Sequence, residues 1–572
     1  MKVILTAVNS KFIHSNLAVR YLKSYTKDLN YECIIKEFSI NDRVERIVQE
    51  LIYEKPDIIA FSCYIWNIEY VDRISRLIKL INKDIVILFG GPEVSYDGAS
   101  YLKDENCDYV IEGEGENTYR EFIEYMMKSH EGKPLIEDIY NIKGIFYKHN
   151  GDIIYTGKRE LMDMNKLVFP YEENEDLSNK IVYYEASRGC PFNCKYCLSS
   201  TTHGVRFLNI ERVKKELRLF IDKKVRLVKF VDRTFNCNEK FASQIWEFLI
   251  EQQTETTFHF EISADILTEE EIELLSKAPK GRFQFEVGVQ TTNNEVLKNI
   301  NRKANFNHIK EKVEELMKIK NINQHLDLIA GLPGEDYGSF INSFDDLYTI
   351  HPEEIQLGFL KLLKGSSMRE EVKKWGMVYS PYPPYEILKT KDISYEELLQ
   401  LKRVEEMVDK YYNSGKFNNI LKYFIHKSSS SYSFYHSLGE FFYHKGYFAR
   451  SISSSDYYKV FLEYNEEELG EDNKILNEVV KFDYLKFNKK KWLPDFLSRE
   501  EDKTSERKIK ENLINSNILK NDRSTNSYHI EKFSINIIKF IDDDKTEKED
   551  TFILFGEKNK NLVKDVTMWL NM

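Results

Sequence analysis

Between Lys2 and about Gly132 short runs rich in Val and Ile alternate with amphipathic stretches, and this alternation restricts the fold more than any other feature of the chain. The runs are KVILTAV, YECIIKEF, DIIAFSCY, DIVILFGG and DYVIEGEGE; the stretches Leu17 to Leu29, Arg43 to Glu54 and Ile68 to Ile81 between them have helical spacing. Strands that are apolar throughout are buried on both faces, so helices must cover both sides of a parallel sheet. The expectation is a five-stranded, doubly wound α/β domain over residues 1–135. Ligands of such a sheet sit beyond the carboxyl ends of its strands, which singles out the loops Asn9 to Asn16, Ser62 to Asn67, Gly90 to Ser95 and Glu112 to Glu116.

A connector over residues 136–179 follows, in which GIFYKHNGDIIYTG places Asn150 and Gly151 between two alternating runs, as a β-hairpin requires. From Lys180 to about Arg369 a second β/α series begins: VYYEASRG, LVKFVD, FHFEIS, FQFEVGVQ, HLDLIAGLPGE and EIQLGFLKLLKG. Six such repeats predict a partial (β/α) barrel over residues 180–370. Residues 371–572 change to helical segments heavy in Tyr and Phe, ending in SINIIKFI and TFILFGE, which read as two strands before a short helix.

At 572 residues the chain exceeds a single core, and 42% hydrophobic with 31% charged residues is the balance of a folded chain. A net charge of -11 gives no global reason to bind nucleic acid or an anionic membrane. KFNKKKW (Lys486 to Trp492) is a short basic patch that reads as a solvated face. No stretch nears the roughly 18 apolar residues of a membrane span, and Met1 to Ser10 is not a signal segment, so a cytoplasmic protein is expected.

Three of the seven cysteines fall within eight residues, in SRGCPFNCKYCLSS. Three residues separate Cys190 from Cys194 and two separate Cys194 from Cys197. Three thiolates on one loop can ligate three irons of a 4Fe-4S cubane and leave the fourth iron open to a small molecule. A structural zinc site would need a fourth ligand, usually from a second CxxC pair; there is none, and Cys237 stands alone downstream.

This spacing at the end of a first barrel strand, with Tyr196 before the last cysteine, resembles the radical S-adenosylmethionine (SAM) superfamily. The likeness extends through FVDRTFN, FEISAD, EVGVQT and DLIAGLPGE. It implies a cluster on Cys190, Cys194 and Cys197 and SAM beside Phe192, Tyr196, Asp232, Glu261, Ser263, Gly288, Gln290 and Gly331. It also implies reductive cleavage of SAM to a 5'-deoxyadenosyl radical, fed by a reductant such as flavodoxin or ferredoxin.

A doubly wound, flavodoxin-like domain ahead of such a barrel, with FGGPEVS and IEGEGE at its strand ends, resembles the cobalamin-binding domain of cobalamin-dependent radical SAM enzymes. The resemblance places cobalamin against Asn9, Ser10, Ser62, Gly90, Gly91, Pro92, Glu112, Gly113 and Glu114. The DxHxxG motif that supplies a cobalt ligand is missing; His14 reads as a surface residue at a helix start that Ser15 or Asn16 would cap. The opening VNSKFIHSNLAVRYL and the aromatic C-terminal region are similar to a bacterial family with this architecture and no assigned reaction.

Three readings follow from the resemblance: methylation of an unactivated carbon of an unknown substrate, cobalamin-assisted cyclisation or rearrangement without methyl transfer, and a cobalamin sensor with an inactive barrel. Methylthiolation of transfer RNA would need a second cluster, for which only Cys33, Cys63 and Cys107 are at hand; as buried thiols within or next to strands they read as core.

Overall fold

The computed structural model describes the chain except residues 104–105, 131–135, 179, 203, 491, 500–501, 517–527, 544, 546, 557–561 and 571–572. Lys491 of the KFNKKKW patch therefore lies outside the described residues.

The five apolar runs of the N-terminal domain form β1 (Lys2–Asn9), β2 (Glu32–Ser39), β3 (Ile58–Ser62), β4 (Val86–Gly90) and β5 (Tyr109–Ile111). They pair in parallel in the order β2-β1-β3-β4-β5. Ile4, Ile59, Ile87 and Phe89 face one side, where the helices Val44–Tyr53 and Ile68–Ile81 supply Ile47, Leu51, Val71 and Ile74. Val3, Leu5, Ile58 and Leu88 face the other, against Val19, Tyr119, Phe122 and Ile123. Strand order reverses between β1 and β3, which opens a crevice at their carboxyl ends.

The expected hairpin forms as β6 (Ile145–His149) and β7 (Asp152–Tyr155), with Asn150 and Gly151 at φ 51° and 89° in the turn. It is more than a connector: β6 pairs antiparallel with β5, so the sheet has seven strands. Edge pairing covers the unpaired groups that a three-residue β5 would otherwise expose.

The second sheet is built from β8 (Ile181–Tyr184) and, beyond a two-residue antiparallel ladder of β9 (Ser187–Arg188) with β10 (Arg206–Phe207), from β11 (Leu227–Phe230), β12 (Thr257–Ile262), β13 (Phe283–Gln290), β14 (Asn323–Ala330) and β15 (Glu354–Phe359). Its order, β15-β14-β13-β12-β11-β8, is that of an open, partial barrel. Side chains alternate between faces with a period of two. One face is aromatic: Phe260 is fully buried, with ring centroids 4.4 Å from Phe230 and 4.3 Å from Phe235. The other face carries Tyr183, Lys229, His259, Glu261, Glu286 and Asp327; His259 Nε2 lies 3.2 Å from Glu286 and Lys229 Nζ 3.4 Å from it. An apolar face against helices and an ionisable face away from them mark where the core ends and ligand chemistry can begin.

Residues 1–343 and 357–395 form one compact unit, and 344–356 with 396–572 a second. The second unit is helical around an aromatic core in which Tyr411, Phe417 and Phe461 touch, and its buried Asp483 accepts from the Asn419 and Ile420 N–H groups. The C-terminal strand expectation is corrected. SINIIKFI runs into the helix Ile537–Asp543, because Asn536 Oδ1 accepts from Lys539 N and so starts a helical turn. TFILFGE is a strand, Thr551–Gly556, between Tyr528–Phe533 and Val563–Asp565. Among the described residues no helix is long and apolar enough to cross a membrane.

Phe260→Ala is expected to lower the unfolding free energy by about 3–5 kcal/mol, since it leaves a ring-sized cavity among rings that cannot collapse onto it; thermal or denaturant unfolding of the full chain checks this.

Candidate functional site

The carboxyl ends of β1, β3, β4 and β5 and the loop before the cysteine triplet border one cavity of about 1040 Å³. Its floor is apolar, from Leu5, Ala60, Leu88 and Ile111, and its rim is polar. All nine residues that the sequence assigned to cobalamin, Asn9, Ser10, Ser62, Gly90, Gly91, Pro92, Glu112, Gly113 and Glu114, line it. Tyr64 and Trp66, which sequence reading passed over, line it as well, stacked at 4.4 Å.

The close approach at Gly91 explains why that position is glycine. Its φ is 113°, and a Cβ would stand 2.6 Å from the Cys63 carbonyl oxygen. The turn is fixed there by Cys63 N donating to Gly90 O at 2.6 Å. Glu114, by contrast, has its carboxylate committed: it accepts from Arg206 and from Met162 N at 3.2 Å, and Arg188 stands 3.8 Å away. These guanidinium groups hold it below the usual carboxyl range against the opposing effect of burial. Its place in the site is to brace the loop.

His14 departs from expectation. It is part of the cavity wall, its Nδ1 lies 2.6 Å from the Tyr183 hydroxyl, and its backbone bridges to Ile181. Burial lowers its basicity. The helix behind it starts at Leu17 with Asn16 as the cap, accepting from Val19 N; Ser15 instead donates to Ile181 O. The first loop is thereby tied to the first barrel strand.

The cysteine loop leaves the β9–β10 ladder through Gly189, whose φ of 103° and contact with Gly204 O leave no room for a side chain. Beyond Cys190 two separate segments pin it through three hydrogen bonds: Lys195 N donates to Ile300 O, Asn301 Nδ2 donates to Asn193 O, and Met368 N donates to Lys195 O. The three thiols are free. Cys190 Sγ lies 3.5 Å from the Thr234 hydroxyl and Cys194 Sγ 3.9 Å from the Arg302 guanidinium. Burial raises the Cys194 thiol while Arg302 favours its thiolate. Among the described residues no three acidic, imidazole or thiol side chains converge as a preformed metal cage. What fits a cluster here is the donor chemistry of one pinned loop with a cation against it.

Arg302, absent from the sequence reading, ties the triplet to the cofactor residues: it donates to Gly288 O and reaches Tyr196 Oη at 3.4 Å. Its Nε is buried without a partner, as is Oε1 of Gln290. A register shift between Gly288 and Gln290, with Gln290 at φ 72°, turns that amide out of the ladder. Two orphaned polar groups beside the triplet suit the polar end of a small ligand such as SAM.

Glu261 lies near the end of β12 and Ser263 directly follows it. Burial pushes Glu261 up to about 7, opposed by Arg233 at 3.8 Å. Ser263 is paired both ways with Asn236 of the FVDRTFN loop and donates to Asp265. Phe192 is half-buried on the cysteine loop.

Two of the residues assigned to SAM, Asp232 and Gly331, also carry structural contacts. Asp232 is 1% exposed and both its oxygens are taken, one by Ala186 N at 3.0 Å and one by the Ser187 hydroxyl at 2.5 Å. It braces the strand that feeds the cysteine loop. Gly331 is shaped by packing, because a Cβ there would meet Ile387 Cγ2 at 2.7 Å. Cys63 and Cys107 belong to the core on one face of the first sheet and Cys33 packs on the opposite face, so the three cannot share a cluster.

Residues 3–123 match the B12 binding domain family, 184–347 the radical SAM superfamily, and 373–555 a family described as a protein of unknown function, DUF4080. An uncharacterized methyltransferase of Pyrococcus horikoshii is 27% identical over 240 residues, 40% of this chain and 51% of that protein. The cobalamin-dependent radical SAM methyltransferase TokK of Streptomyces tokunonensis is 23% identical over 362 residues, 58% of this chain and 51% of that one. The chain thus spans about half the length of these curated relatives. The radical SAM methyltransferase TsrM of Kitasatospora setae, solved with cobalamin and a [4Fe-4S] cluster, shares the fold with a TM-score of 0.54 at 14% identity, covering 67% of this chain and 76% of that one.

Two consequences are measurable. Gly91→Ala forces a strained backbone against the Cys63 carbonyl, so a loss of about 1–3 kcal/mol in unfolding free energy is expected, together with weaker cobalamin uptake. Glu335, 1% exposed beneath the Thr291 hydroxyl, is pushed by burial to about 8 from an ordinary 4.5. The folded state keeps a proton that the unfolded state releases over that window, so this group's contribution to stability falls as pH rises from about 4.5 to 8. Glu335→Gln should therefore melt increasingly above the wild type as pH approaches 8, with the difference fading towards pH 4.5. From its strand-end loops to its cysteine loop, the chain carries a B12-binding domain followed by a radical SAM domain, the order of the cobalamin-dependent radical SAM proteins.

Proposed function

We propose that this protein is a cobalamin-dependent radical SAM enzyme that methylates an unactivated carbon of its substrate. The observation that carries the reading is the shared cavity: the strand ends expected to cradle cobalamin and the segment leading into the cysteine triplet line the same space. When bound, the cluster would supply the electron that cleaves SAM to the 5'-deoxyadenosyl radical, and cobalamin would carry the methyl group.

The chain's own groups then have distinct tasks. Cys190, Cys194 and Cys197 would hold the cluster, and Arg302 would offset the thiolate charge beside Cys194. Arg302 Nε and Gln290 Oε1 meet the polar end of SAM, with Tyr196, Phe192, Ser263, Glu261 and Gly288 around it. Glu261, whose carboxyl burial raises, would offer hydrogen bonds to hydroxyl groups of a bound ligand. Gly90, Gly91, Pro92 and Gly113 let backbone approach the corrin ring, and Asn9, Ser10, Ser62 and Glu112 offer polar contacts around it. Tyr64, Trp66 and the apolar strand ends would give a bound cofactor an aromatic and apolar wall. A cytoplasmic location, with reducing equivalents from a flavodoxin or ferredoxin, suits a reduced three-thiol site.

Anaerobic reconstitution with iron, sulfide and hydroxocobalamin, followed by reduction in the presence of SAM, should yield 5'-deoxyadenosine. Cys194→Ala should bring both iron content and 5'-deoxyadenosine to background while the chain stays folded by circular dichroism. With substrate, a product heavier by one methyl group supports this reading. Turnover without that gain in mass favours cyclisation or rearrangement, and absence of SAM cleavage favours a sensor.

A further inference from the structure

Arg188 lies two residues before Cys190, and its guanidinium is engaged by carboxylates. Its side chain is 14% exposed. Nη2 donates to Glu116 at 2.5 Å, Nε donates to Glu185 at 2.9 Å, and Nη1 stands 3.8 Å from Glu114. The Arg188 guanidinium lies over the ring of Tyr21, 5.6 Å from its centroid. Glu114 lies in the loop after β5 and Glu116 in the first turn of the helix Gly115–His130 that this loop opens, and Arg206, paired with Glu114, belongs to the ladder that closes the cysteine loop. One cation of β9, the strand that feeds the cysteine loop, thus faces two carboxylates of the IEGEGE segment, with Arg188, Glu114 and Glu116 all in the cavity wall.

These ion pairs are stiff for a physical reason. Glu116 is 5% exposed, and a carboxylate that far from water is strongly penalised if its partner moves. Burial also raises Glu185, and Arg188 is the group that opposes this. Displacing the IEGEGE segment therefore costs ion pairs to the β9–β10 ladder from which the cysteine loop springs, and displacing that ladder costs ion pairs to the IEGEGE segment. Ordering either loop with a ligand lowers the ordering cost of the other.

We infer that Arg188 is a positioning residue that couples the two cofactor sites, so that SAM bound at the cluster tightens cobalamin binding and cobalamin tightens SAM binding by the same factor. The inference rests on the two-cofactor reading given above. It goes beyond that reading, because two sites in one cavity need not be linked energetically.

The test is titration of the anaerobically reconstituted, cluster-loaded protein with hydroxocobalamin, followed by absorbance, with and without saturating SAM. The wild type should bind hydroxocobalamin about fivefold or more tightly with SAM present, a factor within the ordinary range of site-to-site coupling. Arg188→Gln should bring the ratio to within about twofold of unity, and Arg188→Lys should restore part of it. Glu116→Gln, which leaves the cysteine loop's own sequence intact, should lower the ratio as well, and keeps the test open if Arg188→Gln does not fold. A purely structural role for Arg188 would change the affinities but not their ratio. A wild-type ratio of one, or equal ratios in wild type and variants, overturns the coupling alone; no cobalamin binding by the wild type overturns the two-cofactor reading and the coupling with it.

Discussion

A parallel β-sheet sends its βα loops out at one edge, and in this chain loops from two such edges border one cavity. The rest of the site depends on that constraint. The strands stay apolar because helices cover them, so polar and glycine residues collect where the strands stop. In the first sheet the ends supply close backbone approach at Gly91 and hydrogen-bonding groups at Asn9 and Ser62. In the second they supply the cysteine loop and the carboxylates of β12 and β13.

The edges are kept in place by contacts that cross between them. His14 reaches Tyr183, Ser15 reaches Ile181 O, Tyr96 reaches Thr201 at 2.7 Å, and Glu93 receives Lys364 at 3.2 Å. Most of these are hydrogen bonds, whose net contribution is modest but whose geometry is demanding. Apolar packing would bring the two sheets together with little preference for alignment, whereas directional contacts at the rim select one. The residues of the cavity wall therefore divide between ligand-facing groups, such as the Gly90 to Pro92 turn, and bracing groups, such as Glu114 and His14.

The strands of both sheets were legible because their apolar runs are continuous and separated by helical spacing, and the Asn150-Gly151 turn was legible because few other pairs adopt its backbone. The pairing of β6 with β5 was not, since an edge contact is a tertiary choice that leaves no periodic mark. SINIIKFI misled for a related reason: a short apolar run fits a strand or a buried helix equally, and the cap at Asn536 decided it. At the site, the triplet and the strand-end loops were readable from spacing. Arg302, Arg188 and Arg206 were not, because one arginine in a polar stretch has no pattern and gains meaning only from what it meets across the fold. Asp232 shows the converse, a carboxylate at a strand end whose partners, Ala186 N and Ser187, turn it into a brace.

Charge completes the arrangement. The chain as a whole is acidic, at -11, yet Arg188, Arg206 and Arg233 line the cavity and Arg302 stands against Cys194. Not all of these cations are available to a ligand: Arg188 and Arg206 are neutralised by Glu114, Glu116 and Glu185, and what they do is hold loops. Arg302 has no carboxylate among its hydrogen-bond partners, which are a backbone carbonyl, a phenol and a thiol. Its charge is therefore available to thiolates and to an anionic group bound beside them. Local cation placement within an acidic chain thus separates two kinds of arginine, one whose charge is spent on architecture and one whose charge is left for chemistry.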